Sequence, residues 1–229
     1  MGYVIDPPAI ATLGVAGSED RFPVGRIFCV GRNYAAHARE MGGDERDPPF
    51  YFMKPAAAVV DAAHAVAIGY PPMTNNLHHE IELVVALGGG GSNLTEAQAL
   101  QAVFGYAVGL DMTRRDLQFA ARDKGRPWEF GKAFAASAPI GMLQPASRIG
   151  HPVGGMIMLE VNGQVRQTSD LSLMIWSVAE SLSFLSRYEA LRPGDVIMNG
   201  TPEGVGAVVP GDVMRGRIDG VGGIEVRVE

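Results

Sequence analysis

The run His78-His79-Glu80-Ile81-Glu82-Leu83-Val84-Val85 holds the densest chemistry in the chain. Read as a strand, it puts Glu80 and Glu82 on one face and Ile81, Leu83 and Val85 on the other, because successive side chains alternate. Two carboxylates side by side on an otherwise apolar strand repel, and a hard divalent cation would compensate them. Asp111, at the end of the apolar run that starts at Tyr106, is a third candidate ligand. An all-carboxylate set favours Mg2+, with Mn2+ or Ca2+ also suited, over Zn2+, which prefers His and Cys. Three carboxylates around such an ion leave one residual negative charge, and Arg114, Arg115 and Lys132 are the cations expected to offset it and to hold an anionic substrate. On spacing alone, the same Glu-x-Glu pattern also describes the solvated face of an amphipathic strand.

The elements that would position these residues are legible in outline. Residues 25–31, a short apolar run between glycines, read as a buried strand with Cys29 in the core. Residues 33–41 suit a short helix that ends at Gly42-Gly43. Residues 80–87 read as a strand stopped by the glycines at 88–91. Thr95 with Gln98 is a capping-box signature for a helix carrying Leu100, Val103 and Phe104, and residues 106–112 then read as a strand. A second capping box, Ser177 with Glu180, opens a helix whose Val178, Leu182 and Leu185 share a face. Pro193-Gly194-Asp195-Val196 and Pro210-Gly211-Asp212-Val213 are turn-then-strand signals, and Ile224, Val226 and Val228 alternate as on a half-buried strand. Strands outnumber helices, and they do not alternate regularly with them. No dinucleotide-binding glycine fingerprint, phosphate-binding P-loop or Gly-x-Ser-x-Gly elbow is present. The expectation is an α+β protein built on a mixed, curled sheet: an N-terminal arm over 1–22 and one catalytic domain over 23–229.

Composition narrows the function class. The chain has 229 residues, 47% hydrophobic, with a formal net charge of −6, so it can bury a real core and is not expected to be disordered. Its 30 glycines and 15 prolines imply frequent turns. No apolar run approaches the roughly 18 residues of a membrane span. The first residues lack the basic start of an export signal, and Asp6 sits where myristoylation wants Ser or Thr. The single Cys29 excludes an internal disulfide and suits a cytoplasmic location. An acidic chain with a pI near 5.4 is a poor general partner for nucleic acid or anionic lipid. Small-molecule chemistry is the remaining class, with no nucleic acid and no membrane as partner.

Seven segments, in order, resemble the fumarylacetoacetate hydrolase superfamily and, within it, the short acylpyruvase branch. They are CVGRNYAAHAREM (29–41), FMKPAAAVV (52–60), NLHHEIELVVALG (76–88), GYAVGLDMTRRDLQ (105–118), GRPWEFGKAFAASAPIG (125–141), LEVNGQVRQ (159–167) and GDVIMNGTPEGVG (194–206). The resemblance implies a mixed β-roll, a homodimer, and a divalent metal on Glu80, Glu82 and Asp111. It implies substrate contacts from Arg115, Gln118 and Thr201, a catalytic Lys132, and a lid over about 33–48 bearing His37 and Glu40. Three apart on a helix, those two can act as base and orienter for a water, with Gly42-Gly43 as hinge. Ala36 departs from the branch, which often has Asp before the lid histidine. The resemblance does not extend to the longer members' extra N-terminal domain, so their exact activity is not expected.

The activity implied is metal-dependent hydrolysis of the C–C bond of an acylpyruvate, foremost fumarylpyruvate to fumarate and pyruvate in a gentisate-type degradation route. Arg114, Arg122, Lys124 and Arg126 are expected to receive the far carboxylate, and the 200–206 loop to grip a substrate carboxylate through backbone N–H groups and the Thr201 hydroxyl. Decarboxylation of oxaloacetate, or isomerisation and decarboxylation of hydroxymuconate-type diacids, would use the same site. A non-enzymatic binder of diacids is the reading from another class. His64, His78, His79 and His151 are expected to be structural.

Overall fold

A computed structural model of the chain describes residues 2–34 and 47–229. His37, Glu40 and Gly42-Gly43 therefore lie outside the described residues.

The fold is the expected α+β type, a strand-dominated β-roll with few, short helices. Two larger sheets carry it. The first has eight strands and mixed direction. At its centre Ile81–Leu87 pairs antiparallel with Val103–Leu110 on one side and with Val196–Met198 on the other. Val196–Met198 runs parallel to Ile27–Gly31, and Phe50–Lys54 closes that edge. The second sheet has five strands, in which Met156–Val161 joins Gln164–Asp170 to Val213–Ile218, followed by Gly222–Val228. A small third sheet sets Leu77–His79 between Thr113–Arg114 and Gly206–Val208.

The central strand is buried along its whole length, and its two faces have separate tasks. Ile81, Leu83, Val85 and Leu87 enter the main core, which they share with Ile157, Leu159 and Met214 of the second sheet. Val84 and Ala86 face a second cluster with Leu13, Val15 and Phe22. The N-terminal arm thus contributes core: Thr12–Leu13 pairs with Phe22–Pro23, and Val15 bridges to Leu143.

Both capping boxes form, at Thr95 and Ser177. The first helix, Glu96–Gln101, is shorter than its signature suggested, because Val103 and Phe104 belong to the following strand. Val103 and Phe104 are β-favouring residues, and pairing of Leu87 with Val103 claims that backbone. The second helix, Val178–Tyr188, buries Val178, Leu182 and Leu185 as expected. The two Pro-Gly-Asp turns use one device: Asp195 accepts the Arg192 N–H at 2.8 Å, and Asp212 accepts the Val209 N–H at 2.8 Å. No helix among the described residues is long and apolar enough to cross a membrane.

Candidate active site

Register brings the acids together. Ile81 stands opposite Leu110, so the residues just beyond them, Glu80 and Asp111, meet at the end of the pair, where the Asp111 N–H donates to the Glu80 carbonyl at 2.8 Å. Glu82 emerges two residues along on the same side. The three carboxylates each offer an oxygen within 4.8 Å of the others, and all are at most 4% exposed. A solvated strand face is therefore excluded for this Glu-x-Glu pair.

Three buried cations answer them. Lys132 Nζ donates to Glu80 Oε2 at 2.8 Å and Asp111 Oδ2 at 2.6 Å. Arg115 bonds to Glu80 Oε1. The third cation is Lys54, with Nζ 2.8 Å from Asp111 Oδ1. Lys54 also donates to the Met112 carbonyl at 3.2 Å and to the Lys132 carbonyl. Arg114, expected among the offsetting cations, instead lies over the Phe134 ring at 4.4 Å and donates to the Phe130 carbonyl. It sits one residue out of phase, so the chain turns it away as it turns Arg115 inward.

Local charge shapes the protonation states. Burial, then the Asp111 and Glu80 carboxylates, push Glu82 well above the usual carboxylate range; Lys132 and the Gly200 N–H, 2.8 Å from Glu82 Oε2, offset this only in part. For Lys132, burial pulls the ammonium down, but Asp111 and Glu80 outweigh it and the net shift is upward. His78 is lowered to about 4 by burial and by the Arg115 guanidinium. Neutral His78 then accepts from Arg115 Nε at 3.3 Å while its Nε2 meets Asn76 Oδ1 at 2.9 Å. It orients Arg115, a role finer than the structural one expected of it.

Two short helices deliver the remaining groups. Arg115–Arg122 buries Arg115 and Gln118, joined at 2.5 Å through Arg115 Nη1 and Gln118 Oε1. Glu129–Lys132 packs against it so closely that a Cβ on Gly131 would stand 2.9 Å from the Gln118 backbone. Glycine there is what lets Lys132 reach the carboxylates. The cavity over the acids is walled by Val30, Phe50, Phe52 and Trp128, with Thr201 at its side. An adjoining cavity of about 490 Å³ shares Lys132 and is lined by Arg126. Arg126 is the only member of the expected basic cluster to line either of these two cavities; Arg122 pairs with Asp123 and covers Phe119, and Lys124 is exposed. In the 200–206 loop, expected to grip a substrate carboxylate, the Gly200 N–H is spent on Glu82, while Thr201 lines the cavity.

The residues fit a hard cation. Every candidate ligand is a carboxylate oxygen; among the described residues, Glu82 is the acid least compensated by cations and the buried Asp111 Oδ1 makes no hydrogen bond, its contact with Lys54 being ionic only. Sequence reasoning missed Lys54, Asn33 and Gln167. A lysine closing the Phe50–Lys54 strand just before Pro55 was the available signal for the first. Asn33 donates to the Trp176 and Asn199 carbonyls and accepts the Trp176 N–H, contacts between segments far apart in sequence that no local pattern announces.

Comparison with known proteins agrees with this construction. The fumarylacetoacetate (FAA) hydrolase C-terminal family matches residues 26–229. A fumarylpyruvate hydrolase of Ralstonia sp is 48% identical over 179 residues, covering 78% of this chain and 92% of that one. A mitochondrial oxaloacetate tautomerase of Bos taurus is 41% identical over 203 residues, covering 89% of this chain and 91% of that one. Among solved structures, a fumarylpyruvate hydrolase from Pseudomonas aeruginosa in complex with Mn2+ and pyruvate superposes with a TM-score of 0.95 at 57% identity, with 99% of each chain covered. The chain belongs to the fumarylacetoacetate hydrolase family.

Proposed function

We propose that this enzyme hydrolyses the C–C bond of an acylpyruvate, with fumarylpyruvate giving fumarate and pyruvate as the favoured reaction. The observation that carries the reading is the buried cluster of Glu80, Glu82 and Asp111 within 4.8 Å, opening on a cavity shared with Arg115, Gln118, Lys132 and Thr201. The fumarylpyruvate hydrolases among its relatives support it. A divalent metal suits the three acids, and we take Mg2+ as the native ion, with Mn2+ or Ca2+ as substitutes.

When bound, the ion would serve as a Lewis acid toward the carboxylate and adjacent 2-oxo group of the substrate. The protein's own groups do the rest. Water adds to the 4-oxo carbon, the C3–C4 bond breaks, its electron pair passes to the pyruvate fragment as an enolate, and a proton on C3 completes pyruvate. Lys132, kept cationic by Asp111 and Glu80, stands where it can stabilise the enolate oxygen, an effect of the kind worth roughly 10²–10³ in rate for one donor. Arg115, held by His78 and Gln118, binds the carboxylate with Thr201. We assign the far carboxylate to Arg126, which lines the adjoining cavity. We assign the activated water to His37 with Glu40 as its orienter. A homodimer, which rests on family membership, and a cytoplasmic location, which rests on the lone Cys29, complete the reading of an enzyme acting on a small anionic keto acid.

The second reading, keto-enol conversion of oxaloacetate, is favoured by relatives such as the Bos taurus protein. A panel of fumarylpyruvate, maleylpyruvate, acetylpyruvate and oxaloacetate, assayed with Mg2+ or Mn2+ and with chelator, separates the two. Pyruvate release fastest from fumarylpyruvate supports hydrolysis. Turnover of oxaloacetate with no acylpyruvate cleaved would overturn it. His37→Ala should abolish acylpyruvate cleavage; retained cleavage would remove the assigned water-activating role.

A further inference from the structure

Gln167 is buried at 1% exposure on Gln164–Asp170, a strand of the second sheet that carries none of the residues assigned to the reaction. Its side chain nevertheless crosses to both halves of the site. Oε1 accepts the Ile81 N–H at 3.1 Å and meets His79 Nδ1 at 2.9 Å, so it holds the backbone on one side of Glu80 and the His79 ring on the other. Nε2 donates to Thr201 Oγ1 at 2.8 Å and to the Pro202 carbonyl at 2.9 Å. The amide orientation is fixed from both ends: Ile81 N–H can only donate, and the Pro202 carbonyl can only accept.

That orientation dictates the state of Thr201. An amide N–H cannot accept, so Thr201 Oγ1 receives a hydrogen bond and must direct its own hydrogen elsewhere. Among the described residues that hydrogen has no recorded acceptor, and Thr201 lines the cavity with Glu80, Glu82 and Asp111. The loop is pressed onto the Gln167 strand here. A Cβ on Gly204, whose φ is +88°, would come within 2.2 Å of the Arg166 carbonyl oxygen, so only glycine allows the approach.

We propose that Gln167 is a positioning residue: by donating to Thr201 it turns the Thr201 hydroxyl into a committed donor toward the substrate carboxylate. The proposal rests on the acylpyruvate reading only for the identity of the substrate. Gln167→Glu keeps the shape and the acceptor for Ile81 but can remove the donor, which frees Thr201 to donate to residue 167 and away from the cavity.

The test is a double-mutant cycle of Gln167→Glu and Thr201→Val, read in the dissociation constant of pyruvate in the Mn2+-loaded enzyme and in KM and kcat. A hydrogen bond to a charged group is worth roughly ten- to a hundredfold, so each single variant should weaken pyruvate binding and raise KM by that order, with kcat changed less. In the Thr201→Val background Gln167→Glu should add less than about twofold, because the hydroxyl it acts through is gone. Thr201→Ser should restore the sensitivity. Gln167→Met, which removes the donor without adding charge, should give the same non-additivity. Additive effects would overturn the proposal, as would failure of both Gln167 variants to fold, since the side chain would then simply hold the sheets together. A wild type that binds pyruvate but cleaves no acylpyruvate would overturn the substrate reading and leave the cycle interpretable.

Discussion

Lys132→Met is the most informative perturbation of the charge arrangement. The Lys132 ammonium is buried and bridges Glu80 Oε2 and Asp111 Oδ2 at 2.8 and 2.6 Å. Removing one partner of a buried ion pair leaves uncompensated charge and costs about 3–5 kcal/mol. For a chain of this length each kcal/mol moves the melting temperature by about 2–4 °C, so metal-free Lys132→Met should melt about 6–20 °C below wild type. Mn2+ should narrow that gap, because an ion on the acids takes over the neutralisation that Lys132 supplied and meets less electrostatic competition. If the variant binds Mn2+ tenfold more tightly, the gap closes by about 1.4 kcal/mol. Catalysis should still be lost, since the enolate oxygen has lost its cation. The assay is thermal unfolding in chelator and across a Mn2+ titration, with pyruvate release measured in parallel. A gap that stays constant or widens with Mn2+ would refute the reasoning that Lys132 and the ion share the same carboxylates.

Three other outcomes follow from the same physics. Gly131→Ala should cost about 1–3 kcal/mol from overpacking against Gln118 and reduce activity more than a surface substitution of equal stability cost, by shifting Lys132; chemical denaturation with steady-state kinetics reads both. Arg26→Met should destabilise by about 1–3 kcal/mol, because Asp195, 2% exposed and bonded to the partly exposed Arg26 at 2.6 and 2.8 Å, is left short of partners; Asp195→Asn in the Arg26→Met background should recover part of the loss. Asp116 is a pH case. Burial raises its pKa, but bonds from Thr74, Asn75 and Leu117 outweigh that and leave it below the usual carboxylate value. Its stabilisation is present above the unfolded pKa of about 3.9 and is lost as pH falls through the lower folded value. Asp116→Asn should therefore be less stable than wild type at neutral pH, with the difference vanishing under strong acid; a difference that grows on acidification would contradict this.

The sequence was most readable where chemistry and local pattern coincide. Alternation put Glu80 and Glu82 on one face, and register then supplied Asp111, because Ile81 pairs with Leu110. Both capping boxes formed, since that signal depends only on residues three apart. The Asn162-Gly163 turn, with both residues at positive φ, joins two strands of the second sheet; an Asn-Gly pair is a hairpin signal, and sequence reasoning did not use it. What local pattern could not show were contacts between distant segments: Lys54 on Asp111, Gln167 on Ile81 and Thr201, Asn33 on Trp176 and Asn199. A lysine beside apolar residues reads as a snorkelling surface group unless its anion is known, and that anion lies 57 residues away in sequence.

Whether Glu80, Glu82 and Asp111 hold a metal that cleavage requires is read from pyruvate release from fumarylpyruvate by chelator-treated enzyme as Mn2+ is restored. Cleavage should be absent in chelator, return on adding Mn2+, and not return in Glu82→Gln at the same concentrations. Full cleavage without metal, or recovery in Glu82→Gln equal to wild type, would contradict that requirement.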